Sequence, residues 1–198
     1  MATRMGKRYR YYVLVVLTLT STLNIADRLI MSILLEDIKA EFTMTDTQLG
    51  LLAGLAFALF YATLSIPIAR FADKNNRKNV LAAAVIVWSG MTALCGAATG
   101  FVSLFLARLG VGVGEAGGSP PTYSMIADYF KPSERARAMG VYTTGAVLGT
   151  GGGMMLGGYL AETIGWRLTF ISLGIPGILM GILLYFTVKE PIRGRFDK

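Results

Sequence analysis

Four ionisable residues, Asp27, Arg28, Arg108 and Glu115, interrupt the most apolar stretches of this sequence. Each stretch is long enough to cross a bilayer, where an ionised side chain costs about 3 kcal/mol on insertion scales. Such residues persist when they pair, line a water-filled cavity or bind a ligand. Because two acids balance two bases, the set suits a zwitterionic or singly anionic ligand and can exchange protons. The pattern indicates a transport path through a membrane bundle.

Two predicted helices carry polar side chains with the same spacing. Offsets of 4, 7 and 11 residues place each set on one helical face. The sets are Thr20, Asn24, Asp27 and Met31 in the first helix, and Arg108, Gly112, Glu115 and Ser119 in the fourth. Arg28 lies about 100° around the helix from Asp27, so it is expected to face a different neighbour.

Asp27 and Arg108 are predicted to lie at similar depths in the membrane. Asp27 lies about 24 Å along the helix from Tyr11, and Arg108 about 9 Å from Val102 at the opposite surface. In a hydrocarbon core about 30 Å thick, these are similar depths. We expect Asp27 and Arg108 to pair in at least one state, and protonation of Asp27 to release Arg108 for substrate. The alternative is a static ion pair that fixes helix packing.

Composition places these helices in a membrane. The 198 residues are 54% hydrophobic and 16% charged, whereas soluble domains carry roughly 25% charged residues. Six segments approach the roughly 20 apolar residues that a spanning helix needs. They are Tyr11–Leu35, Gln48–Ala69, Val80–Thr99, Val102–Tyr129, Arg135–Ala161 and Trp166–Val188. The predicted fold is therefore an all-α, multi-pass membrane protein, with Glu36–Thr47 as the first loop.

Basic residues predict the orientation. With six alternating helices, most fall on one side, which indicates by the positive-inside rule that both termini are cytoplasmic. They are Arg4, Lys7, Arg8, Arg10, Arg70, Lys74, Arg77, Lys78, Lys131, Arg135, Arg137, Lys189, Arg193, Arg195 and Lys198. Only Lys39 and Arg167 fall on the other side. The distribution of these residues thus argues against nucleic-acid binding and attributes the net charge of +7 to topology and contacts with lipid headgroups.

Several other classes of function lack the residues they need. The chain contains no histidine and one cysteine, Cys95, so the sequence predicts no His-based catalysis, metal site or cofactor. The apolar run after Arg10 is too long for a signal peptide. An intramembrane enzyme is disfavoured because no nucleophile–base pair is evident.

Glycines mark close helix contacts. The fourth segment is glycine-rich up to Gly118, and Pro120 and Pro121 predict a kink there. The fifth carries a glycine every four residues from Gly145 to Gly157, which predicts a face for tight packing. Tyr61, Trp88 and Phe57 are aromatic residues that would line a cavity or, as is usual at helical spacing, pack against other helices; Tyr61 is taken as a candidate substrate contact.

Three motifs resemble those of the major facilitator superfamily. Residues Ala69 to Lys78 resemble its helix 2–3 signature, usually written G-x-L-A-D-R-x-G-R-K, although Ala69 and Asn76 replace two glycines. Arg108 to Ala116 is similar to its helix 4 pattern R-x-x-x-G-x-G-x-A, and the glycine series of the fifth segment to its third motif. The resemblance implies the N-terminal six-helix half of a twelve-helix transporter, made of two three-helix repeats.

The resemblance also implies domains and a gate. Residues 1–10 would be a basic cytoplasmic N-terminus, 11–188 the transporter domain, and 189–198 the start of a linker to a C-terminal six-helix half. Asp73 would approach a helix N-terminus in that half. Arg77 would meet Asp128, and with Lys78 these residues would hold the cytoplasmic gate shut.

Within the superfamily, residues 24–28 and 112–116 resemble spinster-type lipid transporters. That likeness implies proton-coupled transport of a lysolipid or sphingoid lipid by alternating access. Asp27, Arg108 and Glu115 would couple protons, while Asn24, Arg28, Arg108, Glu115 and Tyr61 would contact substrate. A carrier for a small organic anion and an oligomeric six-helix channel or scaffold are the alternatives. For a bacterial protein, the expected location is the inner membrane.

Overall fold

The computed structural model describes residues 6–196, so Arg4 and Lys198, two of the basic residues counted above, lie outside the described part. The helices are α1 (Lys7–Phe42), α2 (Asp46–Gly50), α3 (Ala56–Lys74), α4 (Arg77–Cys95), α5 (Phe101–Ala116), α6 (Ser119–Tyr129) and α7 (Pro132–Thr187). A π-helical turn, Leu51–Leu55, joins α2 to α3 in one rod. The α5–α6 rod breaks at Gly117 and Gly118, just before the two prolines that predicted a kink.

Within residues 6–196, five helical segments are long and apolar enough to cross a membrane: Lys7–Phe42, Asp46–Lys74, Arg77–Cys95, Phe101–Tyr129 and Pro132–Thr187. The last holds two predicted spans, because Gly165 has non-helical torsions (φ 78°, ψ 164°). This positive φ suits glycine, which has no Cβ. The helix reverses there, since Arg167 contacts Glu41 near the end of α1 and Thr187 contacts Tyr9 near its beginning.

The first arm of α7, residues 132–164, packs along α1 through the predicted glycine face. A Cβ on Gly153 would lie 2.7 Å from the Cα of Ala26, and one on Gly145 would lie 3.1 Å from the Cβ of Ser21. Glycine therefore allows the two backbones to approach more closely than any other residue would.

The second arm, residues 166–187, packs on α4 in the same way. A Cβ on Gly174 would lie 2.6 Å from the carbonyl oxygen of Ser89. The α3 and α5 helices form a third contact. When the first three spans are matched to the last three, α1 corresponds to α5, and α3 corresponds to the first arm of α7. The contact between α1 and the first arm then corresponds to the contact between α5 and α3. The packing therefore has the symmetry of two three-helix repeats.

The first predicted loop is mostly helical, which corrects the span boundaries drawn from hydropathy. The α1 helix continues through Glu36 to Phe42, so the expected Glu36–Thr47 connection shrinks to three residues before α2. Ile38 is fully buried, and Glu41 accepts a hydrogen bond from Trp166 Nε1 at 2.8 Å, so tertiary contacts extend the helix beyond its apolar run. Thr45 caps α2 through a capping box with Gln48.

We predict that Gly153→Val destabilises the chain by about 1–3 kcal/mol, because the new side chain would overpack against Ala26. Gly151→Val is the matched control, since a Cβ there meets nothing within 4 Å. Thermal unfolding of the detergent-solubilised 198-residue chain measures both variants. Equal melting temperatures for the two would contradict this role of the glycine face.

Candidate functional site

The centre of the bundle holds an ion pair between α1 and α5. Arg28 Nε donates to Glu115 Oε2 at 2.9 Å, and Arg28 Nη2 donates to the same oxygen. The Glu115 side chain is fully buried, whereas that of Arg28 is 35% exposed. Arg28 therefore faces a different neighbour from Asp27, as its position on the helix suggested.

Two stacked rings of α3 flank this pair. Phe57 and Tyr61 have centroids 5.8 Å apart and nearly parallel planes. The Arg28 Cζ lies 5.2 Å and 5.1 Å from the two centroids, within cation–π range. Tyr61, predicted as a lining aromatic, thus contacts the ionised cluster.

Asp27 and Arg108 are not hydrogen-bonded to each other in this conformation. Asp27 Oδ2 instead accepts a hydrogen bond from Thr92 on α4 at 2.7 Å. Arg108 Nε and Nη1, Asp27 Oδ1 and Glu115 Oε1 are buried and find no hydrogen-bond partner among residues 6–196. The predicted Asp27–Arg108 pair stays a prediction for another state.

Buried polar atoms without partners are costly, about 1–3 kcal/mol each and more when charged. Four such atoms gathered in one cluster are typical of a site that completes its hydrogen bonds with water, protons or a ligand. The cluster can therefore bind an anionic group at Arg108 and a proton at Asp27 or Glu115.

A small cleft of about 20 Å³ lies beside Glu115. Asn24 and Thr20 line it from α1, and Ser119 from α6, so these members of the two polar stripes meet at one cavity. Its remaining lining residues come from α1, α4, α6 and α7: Leu17, Ser21, Leu81, Trp88, Gly118, Thr122 and Tyr142.

A second charged cluster lies at the end of the bundle where α4 begins. Arg77 Nη1 donates to Asp128 Oδ2 and to Ser124 Oγ, both at 2.6 Å, which is the contact expected between Arg77 and Asp128. Arg77 Nε donates to Glu190 Oε1 at 2.7 Å, and Nη2 to the carbonyl oxygen of Pro191. Every nitrogen of this guanidinium group is satisfied.

The polar tail after α7 completes that cluster. Glu190 Oε2 accepts from the Lys78 amide at 2.8 Å, and Asp128 Oδ1 accepts from the Gly194 amide at 3.0 Å. Arg193 donates to the carbonyl oxygens of Ala72 and Asn75 at the end of α3. The tail, expected to start a linker, thus folds back across α3, α4 and α6.

The other two residues of the predicted gate lie apart from Asp128. The Lys78 ammonium donates to the carbonyl oxygen of Tyr185 at 2.9 Å and lies 4.4 Å from the centre of its ring. Asp73 is exposed and makes no hydrogen bond or ion pair within the described range. Its predicted contact would be with the second half.

Sequence reasoning missed Thr92 and Glu190 and did not select Phe57. A search for hydroxyl groups in the third span would have found Thr92, and charge complementarity to Arg77 would have suggested Glu190. Phe57 gave no signal beyond being aromatic.

The chain matches a family model described as Major Facilitator Superfamily over residues 7–198. It is 35% identical over 94% of its length to an MFS-type efflux pump of Mycolicibacterium smegmatis, and covers 44% of that protein. It is 32% identical over 97% of its length to a D-galactonate transporter of Escherichia coli O6:H1, covering 44%. Protein spinster homolog 1 of Xenopus tropicalis is 32% identical over 98% of the chain, which covers 38% of it.

Among solved structures, the fold is similar to a bacterial homolog of the human lysosomal transporter Spinster in an inward-facing, unoccupied conformation. The TM-score is 0.93 and the identity 41%, with 98% of this chain and 46% of that chain covered. The chain thus spans less than half the length of these relatives. These matches confirm the fold and family predicted from the motifs.

We predict that Asp128→Asn lowers stability by about 1–3 kcal/mol, because it removes one of the two carboxylates that pair with the buried Arg77 guanidinium group and leaves only Glu190. Asp73→Asn is the control, since Asp73 is exposed, and it should leave the melting temperature unchanged. Thermal unfolding in detergent measures both. An Asp128→Asn variant as stable as the control would show that this pair does not hold the ends of α4 and α6.

Proposed function

We propose, because the chain belongs to the Major Facilitator Superfamily, that it is the N-terminal half of a proton-coupled secondary transporter for an amphipathic lipid. The observation that carries this proposal is the cluster of Asp27, Arg28, Arg108 and Glu115, which balances in charge yet leaves buried polar atoms without partners. A static structural network would satisfy those atoms.

Proton coupling is assigned to Asp27 and Glu115. Arg108 would link the protonation of these acids to the binding of substrate. Each carboxyl group has one satisfied oxygen and one free oxygen. Protonation would neutralise one acid and leave the cluster with a net positive charge, which favours an anionic group at Arg108.

The substrate is assigned to the lysolipid or sphingoid class. Arg108 would bind the anionic headgroup, Glu115 a cationic group, and Asn24, Arg28 and Tyr61 the remaining polar atoms. Support comes from the likeness to the spinster homologs. The named D-galactonate relative favours the alternative, a small organic anion bound by the same arginine.

The second half of the transporter would cover the outer faces of α3 and of the first arm of α7. Large apolar side chains are exposed there, including Leu59, Ile66, Val147 and Met155. The chain covers less than half of its relatives, which supports such a partner. The glycine face is used within the chain, which disfavours the channel alternative, because that model needs those glycines between copies.

In this assignment the Arg77 cluster faces the cytoplasm and holds the gate, with both chain ends on that side. Tyr9 donates to the Thr187 carbonyl oxygen at 2.9 Å, so the ends of the helical domain lie together. The protein would lie in the inner membrane if bacterial, in contact with membrane lipids. Asp73 would contact the second half when the gate is shut.

We predict that Asp27→Asn in the complete transporter, this chain with its second half, abolishes uptake driven by a pH gradient. The amide group of asparagine, unlike the carboxyl group of aspartate, cannot bind and release a proton at physiological pH. Thr92→Ser is the control, since it keeps the hydroxyl group that donates to Asp27. Transport into proteoliposomes with and without the gradient measures both. Full pH-driven uptake by Asp27→Asn would remove Asp27 as the proton site.

We predict that Arg108→Gln reduces uptake of a substrate that carries an anionic group at least about tenfold, while Arg108→Lys retains part of the uptake, because a guanidinium group binds anionic groups bidentately. Radiolabelled lysophosphatidylcholine and D-galactonate are compared in the same vesicles. Uptake of the lysolipid supports the first assignment, and uptake of D-galactonate the alternative. Passive flux of both probes without coupling would favour the channel.

A further inference from the structure

Arg28 and Arg108 share one aromatic ring but not one carboxylate. The Phe57 centroid lies 5.2 Å from the Arg28 Cζ and 5.6 Å from the Arg108 Cζ. Only Arg28 binds Glu115, although Arg108 is the more deeply buried of the two, at 1% exposure. Another group in the bundle therefore determines which of the two guanidinium groups pairs with Glu115.

Arg108 and Glu115 form the alternative ion pair to consider, because both project from one face of α5. They lie seven residues apart on one face of α5, about 10.5 Å along the axis. Extended arginine and glutamate side chains can together span that distance. A pair between them would be buried in low dielectric, where opposite charges attract strongly.

Phe57 lies between them. Residue 112, which shares the face of Arg108 and Glu115, is glycine, and a Cβ there would lie 3.4 Å from Cδ2 and from the carbonyl oxygen of Phe57. Phe57 therefore packs over the turn of α5 that separates Arg108 from Glu115. The π-helical turn Leu51–Leu55 ends just before Phe57 and sets the rotational position of α3.

We propose that Phe57 is a positioning residue that separates Arg108 from Glu115, assigns Glu115 to Arg28 and so keeps Arg108 without a partner. Tyr61 supports this role, because it stacks on Phe57 and adds a second ring to the Arg28 site. The separation itself needs no substrate. Its consequence, an arginine held open for a substrate anion, rests on the proposed function.

The direct test is an experimental structure of the complete transporter carrying Phe57→Leu, compared with Phe57→Tyr. Leucine removes the ring, so Arg108 should move into hydrogen-bond distance of Glu115 and Arg28 should leave it. Tyrosine keeps the ring and should keep the arrangement described above. Phe57→Met serves as a second ring-free variant if the leucine variant does not fold. An intact Arg28–Glu115 pair in a ring-free variant would overturn the proposal.

Transport kinetics test the consequence with the two probes named above. Phe57→Leu should raise KM about fivefold and change the maximal rate little, because it lets Glu115 occupy Arg108. In a Glu115→Gln background, equilibrium binding of the probes to the complete transporter, measured without a pH gradient, should be changed no further by Phe57→Leu, whereas a merely structural role would give additive losses. If Arg108→Gln transports normally while Phe57→Leu rearranges the arginines, the separation stands and the proposed function fails.

Discussion

The ion pair between Arg28 and Glu115 is the constraint on which the centre of this bundle depends. Glu115 is fully buried, and an isolated carboxylate in such a position would be very costly. Pairing it with an arginine from α1 fixes the register of α1 against α5. The pair satisfies only one oxygen of Glu115 and leaves Arg108 open, so it stabilises the bundle without using all its polar groups.

Glycine makes that arrangement possible at two helix–helix contacts. Along α7, the glycines at positions 145–157 bring the first arm against α1, which carries Asp27 and Arg28. On α5, which carries Arg108 and Glu115, Gly114 brings the helix against α4, since a Cβ there would lie 2.6 Å from the amide nitrogen of Trp88. In both cases a missing side chain lets neighbouring atoms approach closely in a membrane, where packing contributes much of the helix association.

The sequence predicted the fold because hydropathy, basic loops and glycine periodicity are local signals. It also placed Asp27 and Arg108 at similar depth, and Arg77 beside Asp128. It could not predict which acid pairs with which base, because that choice depends on Phe57 and Thr92, contributed by other helices. The prediction that the first helix ends at Leu35 was wrong for the same reason. The extension of α1 to Phe42 depends on Trp166 and Arg167, which bind Glu41 from the far end of the chain.

Two buried arginines in this bundle differ in how fully their hydrogen bonds are satisfied. Arg77 has a partner for each of its nitrogens, drawn from α6 and the tail. Arg108 is at least as buried, yet its Nε and Nη1 have none within the described part of the chain. Fold stability alone would favour satisfying Arg108 as fully as Arg77. Arg108 therefore keeps unused hydrogen-bonding capacity on the face of α5 that also carries Glu115.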